Sequence, residues 1–114
     1  MAWIVTLSRS AEKQKAKLSK PVRQMLFALI GDIEAGGPIR GDWPNYSKLG
    51  GSRHHCHLKK GQPTYVAVWE VQNKNIKMVE VQPIFRTFLN GKQVIIYPAR
   101  IQPTPEFTFV KTSG

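Results

Sequence analysis

At 114 residues with 41% hydrophobic content, the chain is long enough for one core and too short for two, and wholesale disorder is not expected. Seventeen Lys+Arg against seven Asp+Glu give a formal net charge of +10, which calls for an acidic partner such as nucleic acid or an acidic protein. A membrane partner is not expected, because no apolar run approaches the roughly 20 residues of a spanning helix and no helix joins a basic face to an aromatic one.

Met1–Leu7 is too short for a signal peptide and has no basic region before it. Cys56 is the only cysteine, so no internal disulfide framework exists. Both features fit a reducing, cytoplasmic setting.

Trp3–Leu7 is β-rich and predicts an opening strand. Ser10 is placed to cap a helix over Ala11–Leu18, which carries Lys13, Lys15 and Lys17. Lys13 and Lys17 lie four residues apart and repel; the face they share reads equally as a solvated surface or as a contact for phosphate. Val22, Met25, Leu26, Leu29, Ile30 and Ile33 form one stripe of 3.6-residue period and predict a second helix with a core-facing side. Ser19 is its N-cap, Pro21 sits in its first turn, and Gly36-Gly37-Pro38 ends it.

Residues 36–46 are turn-rich and form a long connection. Strands are then predicted at Ser47–Leu49, Ser52–Lys60, Thr64–Val71 and Ile76–Val81. The last three are joined by the turns Gly61-Gln62-Pro63 and Asn73-Lys74-Asn75 as an antiparallel meander. After Pro83, the runs Ile84–Leu89 and Lys92–Tyr97 flank Asn90-Gly91, a strong hairpin signal. Beyond Pro98, with Pro103 and Pro105, an irregular, partly mobile tail is expected. The economical architecture is α+β, two N-terminal helices packed on one face of a mainly antiparallel sheet plus a C-terminal β-hairpin.

The segment richest in chemistry is Arg53-His54-His55-Cys56-His57-Leu58-Lys59-Lys60. On a strand, Arg53, His55, His57 and Lys59 share one face, successive members lying about 6–7 Å apart, while His54, Cys56 and Leu58 share the other. No carboxylate interrupts the run. A cationic surface bearing titratable groups suits a phosphate-rich ligand, with RNA the first candidate.

These elements carry a resemblance. Leu7-Ser8-Arg9-Ser10-Ala11, Gly41-Asp42-Trp43, Lys48-Leu49 with Gly51, Arg53–Lys59 and Tyr65–Val71 stand in the order and spacing of the RelE/ParE toxin superfamily of bacterial toxin–antitoxin systems, over roughly residues 3 to 82. The resemblance implies a toxin domain over residues 1–82. Residues 83–114 are then an atypical extension of the same single domain, with a hairpin at 84–97 and an irregular tail.

In the RelE branch the members are ribosome-dependent endoribonucleases that cut mRNA and are silenced by a cognate antitoxin. Their strand corresponding to Arg53–Lys60 carries catalytic basic residues at alternate positions, which fall here on His57 and Lys59. The similar YafQ group has a Cys-His-(apolar) step matching Cys56-His57-Leu58. Relatives place an arginine where this chain has Val66, and a later arginine has a counterpart in Arg86. Many end with a histidine and a tyrosine; here no histidine follows His57, and the only late tyrosine is Tyr97. Weak or absent toxicity, compared with relatives that keep this tail, is expected.

Metal-free RNA cleavage needs a base for the 2′-hydroxyl proton, an acid for the leaving 5′-oxygen, and cations for the charge on phosphorus. His57 is the expected base, held neutral by neighbouring cations, with His55 as a second proton-transfer group. Lys59 and Arg86 are further catalytic candidates. Arg53, Lys60, Lys13 and Lys17 are candidates for RNA or phosphate binding. His55 and His57 could share a zinc ion, but Cys56 faces away and no second cluster completes four ligands, so neither metal nor cofactor is expected. Trp43, Tyr46 and Tyr65 could stack on bases, although packing against the helices is the simpler role for each. Trp69 and Trp3 are core candidates. The partners implied are an acidic antitoxin, mRNA and the ribosome. The alternatives are a ParE-like toxin that binds DNA gyrase without catalysis, or a degenerate member that binds only an antitoxin.

Overall fold

The computed structural model describes residues 3–58, 64–96 and 110–112, with side chains at 3–58, 64–84 and 90–92. Its elements are β1 (Ile4–Leu7), α1 (Arg9–Ala16), α2 (Lys20–Gly36), β2 (Ser47–Gly50), β3 (Arg53–His57), β4 (Thr64–Gln72), β5 (Asn75–Leu89), β6 (Lys92–Ile96) and β7 (Val110–Thr112). The apolar stripe of α2 organises them. Val22, Leu26, Leu29 and Ile33 are buried against Cys56, Leu58, Ala67, Trp69, Ile76 and Met78 of the sheet, with Met25 and Ile30 at the margin. Each fully buried Leu or Ile here contributes about 2 kcal/mol of transfer free energy. Trp69 lies at the centre, its indole Nε1 donating to the Pro38 carbonyl at 3.1 Å.

The strands follow the order β2-β3-β4-β5-β6-β7, antiparallel throughout, while β1 pairs parallel with the start of β5. This is the expected α+β architecture. Among the described residues no helix is long and apolar enough to cross a membrane.

Four details differ from the sequence reading. First, α1 begins at Arg9 and its N-cap is Ser8, not Ser10. The Ser8 hydroxyl accepts from the Ala11 amide at 3.0 Å and donates to the Val79 carbonyl at 2.9 Å, while the Ser8 amide donates to the Met78 carbonyl. The cap is thus chosen by the sheet edge it also serves.

Second, Pro83 does not divide two strands. β5 runs unbroken from Asn75 to Leu89, first against β4 and then against β6. Third, β5 carries one extra residue opposite Val68 and Trp69 of β4: Val68 pairs with Glu80 and Trp69 with Met78. This bulge reverses the facing of everything after it. Fourth, the tail returns to the sheet, since Val110–Thr112 pairs with β6; residues 97–109 lie outside the described residues.

The hairpin forms as expected. Leu89 pairs with Lys92 across Asn90 and Gly91, at φ 53° and 77°, the left-handed pair of a type I′ turn.

Candidate active site on the sheet face opposite the helices

Alternation along β3 places its residues as the sequence predicts. His54 and Cys56 point into the helix-side core together with Leu58, which follows the strand. Arg53, His55 and His57 point to the opposite face. Strand register extends this face across the sheet, because His55 pairs with Val68 and Val68 with Glu80, while His57 pairs with Val66 and Val66 with Gln82. The two imidazoles meet edge to face, ring centroids 6.0 Å apart. Nδ1 of His55 lies 3.2 Å from the Ser47 carbonyl and 3.1 Å from the Ser47 hydroxyl. A carbonyl oxygen only accepts, so this contact is served when Nδ1 carries a proton.

The expected open cationic row is not what forms. His55 and His57 are only 2% and 3% exposed. The reason is that β4 is apolar on both faces. Val66 and Val68 join Leu49 and Ile84 in a second buried cluster, with Val79 packed beside it, and the histidines stand within that layer. Arg53 alone among the described members of the row is exposed, and its Nε lies 3.9 Å from Glu70 of β4.

Lys59 and Lys60 lie outside the described residues, as does Tyr97. Arg86 is on β5 opposite Ile95, its side chain outside the description. Lys13 and Lys17 are exposed on α1 and at its C-cap. Lys17 lines a cleft of about 320 Å³ with Gln14, Leu18, Tyr65, Val81, Gln82 and Pro83.

Two carboxylates missed by the sequence reading belong to this face. Glu70 reaches Arg53. Glu80, 5% exposed, accepts at Oε2 from the side-chain amides of Gln14 at 2.7 Å and Gln82 at 2.6 Å. Strict alternation from Ile76 and Met78 would have turned Glu80 into the core; the bulge brings it beside the histidines' face. A cleft of about 410 Å³ lies here, lined by Ser8, Ser10, Arg53, Val79 and Glu80.

On the helix side, the rings of Tyr46, His54 and Trp69 form a triangular cluster, each centroid 5.8 to 6.1 Å from the other two. The Tyr46 hydroxyl lies 2.7 Å from His54 Nδ1. Burial, and secondarily the charge of Lys48, lowers the pKa of His54, while burial raises that of Tyr46. Burial also drives the Cys56 thiol far above its usual range, with Asp42 adding to the shift. It is a packed residue and not a nucleophile. Trp3, Trp43, Tyr46 and Tyr65 all pack against the helix-side core, and the Trp43 indole donates to Asp32 at 2.8 Å. Their aromatic surface serves the core.

Among the described residues no group of three or more His, Cys, Asp or Glu is arranged to hold a metal. What the opposite face offers is acid–base chemistry: two adjacent imidazoles, a guanidinium and an anchored carboxylate on one sheet surface.

No family model and no curated protein matches the sequence. Solved structures do match in fold. The YoeB dimer from Staphylococcus aureus is 16% identical, covering 72% of this chain and 97% of that one, with a TM-score of 0.58. A mutant of Escherichia coli toxin RelE in the free state is 21% identical over 72% of this chain and 83% of that one, with a TM-score of 0.58. The archaeal RelE–RelB complex from Pyrococcus horikoshii gives 15%, 73%, 96% and 0.51 in the same order. The chain therefore has the fold of the RelE and YoeB toxins.

Proposed function

We propose that this chain is the toxin of a bacterial toxin–antitoxin system, a metal-independent endoribonuclease that cuts mRNA at the ribosome and represses translation in the cytoplasm. The observation that carries the reading is the His55–His57 pair on the sheet face opposite the helices of a RelE-like fold. His57, as base, takes the 2′-hydroxyl proton; the 2′-oxygen attacks phosphorus; the P–O5′ bond breaks; and the departing oxygen is protonated by the second acid. His55, with its ring next to His57, fills that role as the imidazolium, giving up its Nε2 proton while Nδ1–H stays on the Ser47 carbonyl. Arg53, Lys59, Lys60 and Arg86 supply charge for the phosphorane-like transition state, and Lys13 and Lys17 extend the basic path for RNA. Because both rings are buried in the free chain, RNA reaches them only after the apolar layer around them yields. Cleavage is thereby tied to prior binding, as on a ribosome.

The antitoxin partner is supported by similar structures that are complexes, YoeB with YefM and RelE with RelB. A net charge of +10 suits an acidic antitoxin segment. In this reading residues 1–82 are the toxin domain, and residues 83–114 are an atypical extension of the same domain.

Burial of both histidines also favours one other reading, a chain that keeps the fold and binds an antitoxin without cutting RNA. Inducible expression with mapping of mRNA 5′ ends separates the two. Cleavage predicts new 5′ ends that His57→Gln lowers by about 10²–10⁴ while ribosome binding persists. Equal cleavage by the variant removes His57 as the base. No new ends from the wild-type chain selects the binding-only reading.

A further inference from the structure

The His55–His57 pair is covered in part by a residue from a different strand. β2 lies at the end of the strand order and pairs with β3. Its ladder runs Ser47 with His55, Lys48 with His54, then Gly50 with Arg53, so Leu49 is an extra residue bulged out of the register. Leu49 is nevertheless only 4% exposed, buried in one cluster with Val66, Val68 and Ile84. Those partners stand on β4 and β5, and β3 lies between them and β2. Two inter-strand spacings, about 10 Å, separate β2 from β4, whereas apolar side chains touch only within about 4–4.5 Å. Leu49 therefore reaches across β3, over the face that carries His55 and His57.

The chain around Leu49 is arranged to let it swing. Gly50 and Gly51 follow it with φ of 102° and 56°, conformations that glycine adopts without strain. A Cβ added at Gly51 would meet nothing within 4 Å, so side-chain packing does not fix that position. Both flanks are pinned instead. On one side, Ser47 meets His55 Nδ1 through its carbonyl at 3.2 Å and its hydroxyl at 3.1 Å, and the Tyr46 hydroxyl lies 2.7 Å from His54 Nδ1. On the other, the Ser52 carbonyl accepts from the Val71 amide at 3.0 Å. Leu49, Gly50 and Gly51 are the short length of chain between these fixed points. Movement there uncovers the two rings and leaves in place the Ser47 contact that orients His55. Bulges commonly re-aim a side chain next to a site, and this one aims an apolar cover.

We propose that Leu49 is a gate over His55 and His57, swinging outward on the Gly50–Gly51 hinge to admit the RNA phosphate and closing again when the RNA leaves. The identity of the ligand rests on the RNA-cleavage reading, but the motion belongs to the free chain and is measurable without RNA. A gate of three residues at a sheet edge opens locally, at a free energy well below that of global unfolding. His54 supplies the internal comparison. It is buried to a similar degree, 5% exposed, but packs with Tyr46 and Trp69 on the helix-side face. Reaching it requires the helix-side core to open, whereas reaching His55 and His57 requires only Leu49 to move.

The test is carbethoxylation of the full chain with diethylpyrocarbonate at about pH 8, where imidazoles are neutral, each histidine being followed by fragment-ion mass spectrometry. The gate requires His55 and His57 to react about tenfold or more faster than His54. Their rates should stay flat in urea below the unfolding transition, while that of His54 climbs. Leu49→Ala should speed His55 and His57 about tenfold further and leave His54 unchanged. Leu49→Met, which conserves volume, should restore the protection. Equal rates with equal urea dependence for all three histidines in the unaltered chain overturn the proposal, and that comparison needs no variant to fold. A folded Leu49→Ala chain with unchanged His55 and His57 rates overturns it as well. Fast, urea-independent reaction of the pair in a chain that yields no new mRNA 5′ ends supports the gate and removes the cleavage reading alone.

Discussion

His54 lies 5% exposed against both Tyr46 and Trp69, parallel to the indole within 3°, and this makes stability depend on mild acid. Desolvation, and then Lys48, which pairs with His54 across β2 and β3, hold its folded-state pKa below the ordinary value of 6.5. The neutral ring also has a purpose, because Nδ1 can accept from the Tyr46 hydroxyl at 2.7 Å. Protonation would leave two donors facing each other until the hydroxyl turned. Below pH about 6.5 the unfolded chain gains a proton at this residue, while the folded chain does not until the lower folded-state pKa. Stability contributed by His54 is therefore fully present above pH 6.5 and falls as the pH drops toward that lower value. One proton sets the ceiling on that slope, ~1.4 kcal/mol per pH unit. Urea unfolding between pH 8 and 5, followed by tryptophan fluorescence, measures it. The comparison is the double variant Tyr46→Phe/His54→Phe, which removes both polar partners while keeping the stack, a pairing of changes that is nearly neutral at pH 8. Other titrating groups are common to both proteins, so the difference in slope isolates His54. Equal pH dependence would refute the reasoning.

Ser8→Ala removes a hydroxyl that caps α1 and also donates to Val79; it should lower stability by about 1–2 kcal/mol, read by urea midpoint, and a change below the error of the fit would show that the cap is idle. Leu29→Ala empties a fully buried position on the α2 stripe and should cost about 2–5 kcal/mol by the same assay, whereas a loss under about 1 kcal/mol would mean that the helix does not anchor the core.

Several elements could be read before the structure because their signals are local. The α2 stripe needs only the 3.6-residue period, and the β5–β6 turn needs only Asn90-Gly91 between β-rich runs. The facing of Arg53, His55 and His57 followed from alternation alone. Burial of the two histidines did not, because it depends on what lies over a sheet face. A trace of it was nevertheless present, since β4 places Val66 and Val68 on one side and Ala67 and Trp69 on the other, and a strand apolar on both sides predicts two covered faces. The choice between Ser8 and Ser10 as cap was not local either, because both suit the role and the β5 edge decides it.

Glu80 is the most instructive miss. In Ile76-Lys77-Met78-Val79-Glu80-Val81, strict alternation assigns the carboxylate to the same side as Ile76 and Met78, where it would be an unpaired charge in the core. That implausible placement was itself a signal of an irregularity in the strand. One extra residue in β5 resolves it and leaves Val81 as the core residue while Glu80 joins Gln14 and Gln82. The same insertion that spares the core a charge also brings a carboxylate to the lining of the cleft that Arg53 shares. A polar residue that period-two reading forces into an apolar layer is thus evidence for a bulge, and the residue it redirects is a candidate for the site.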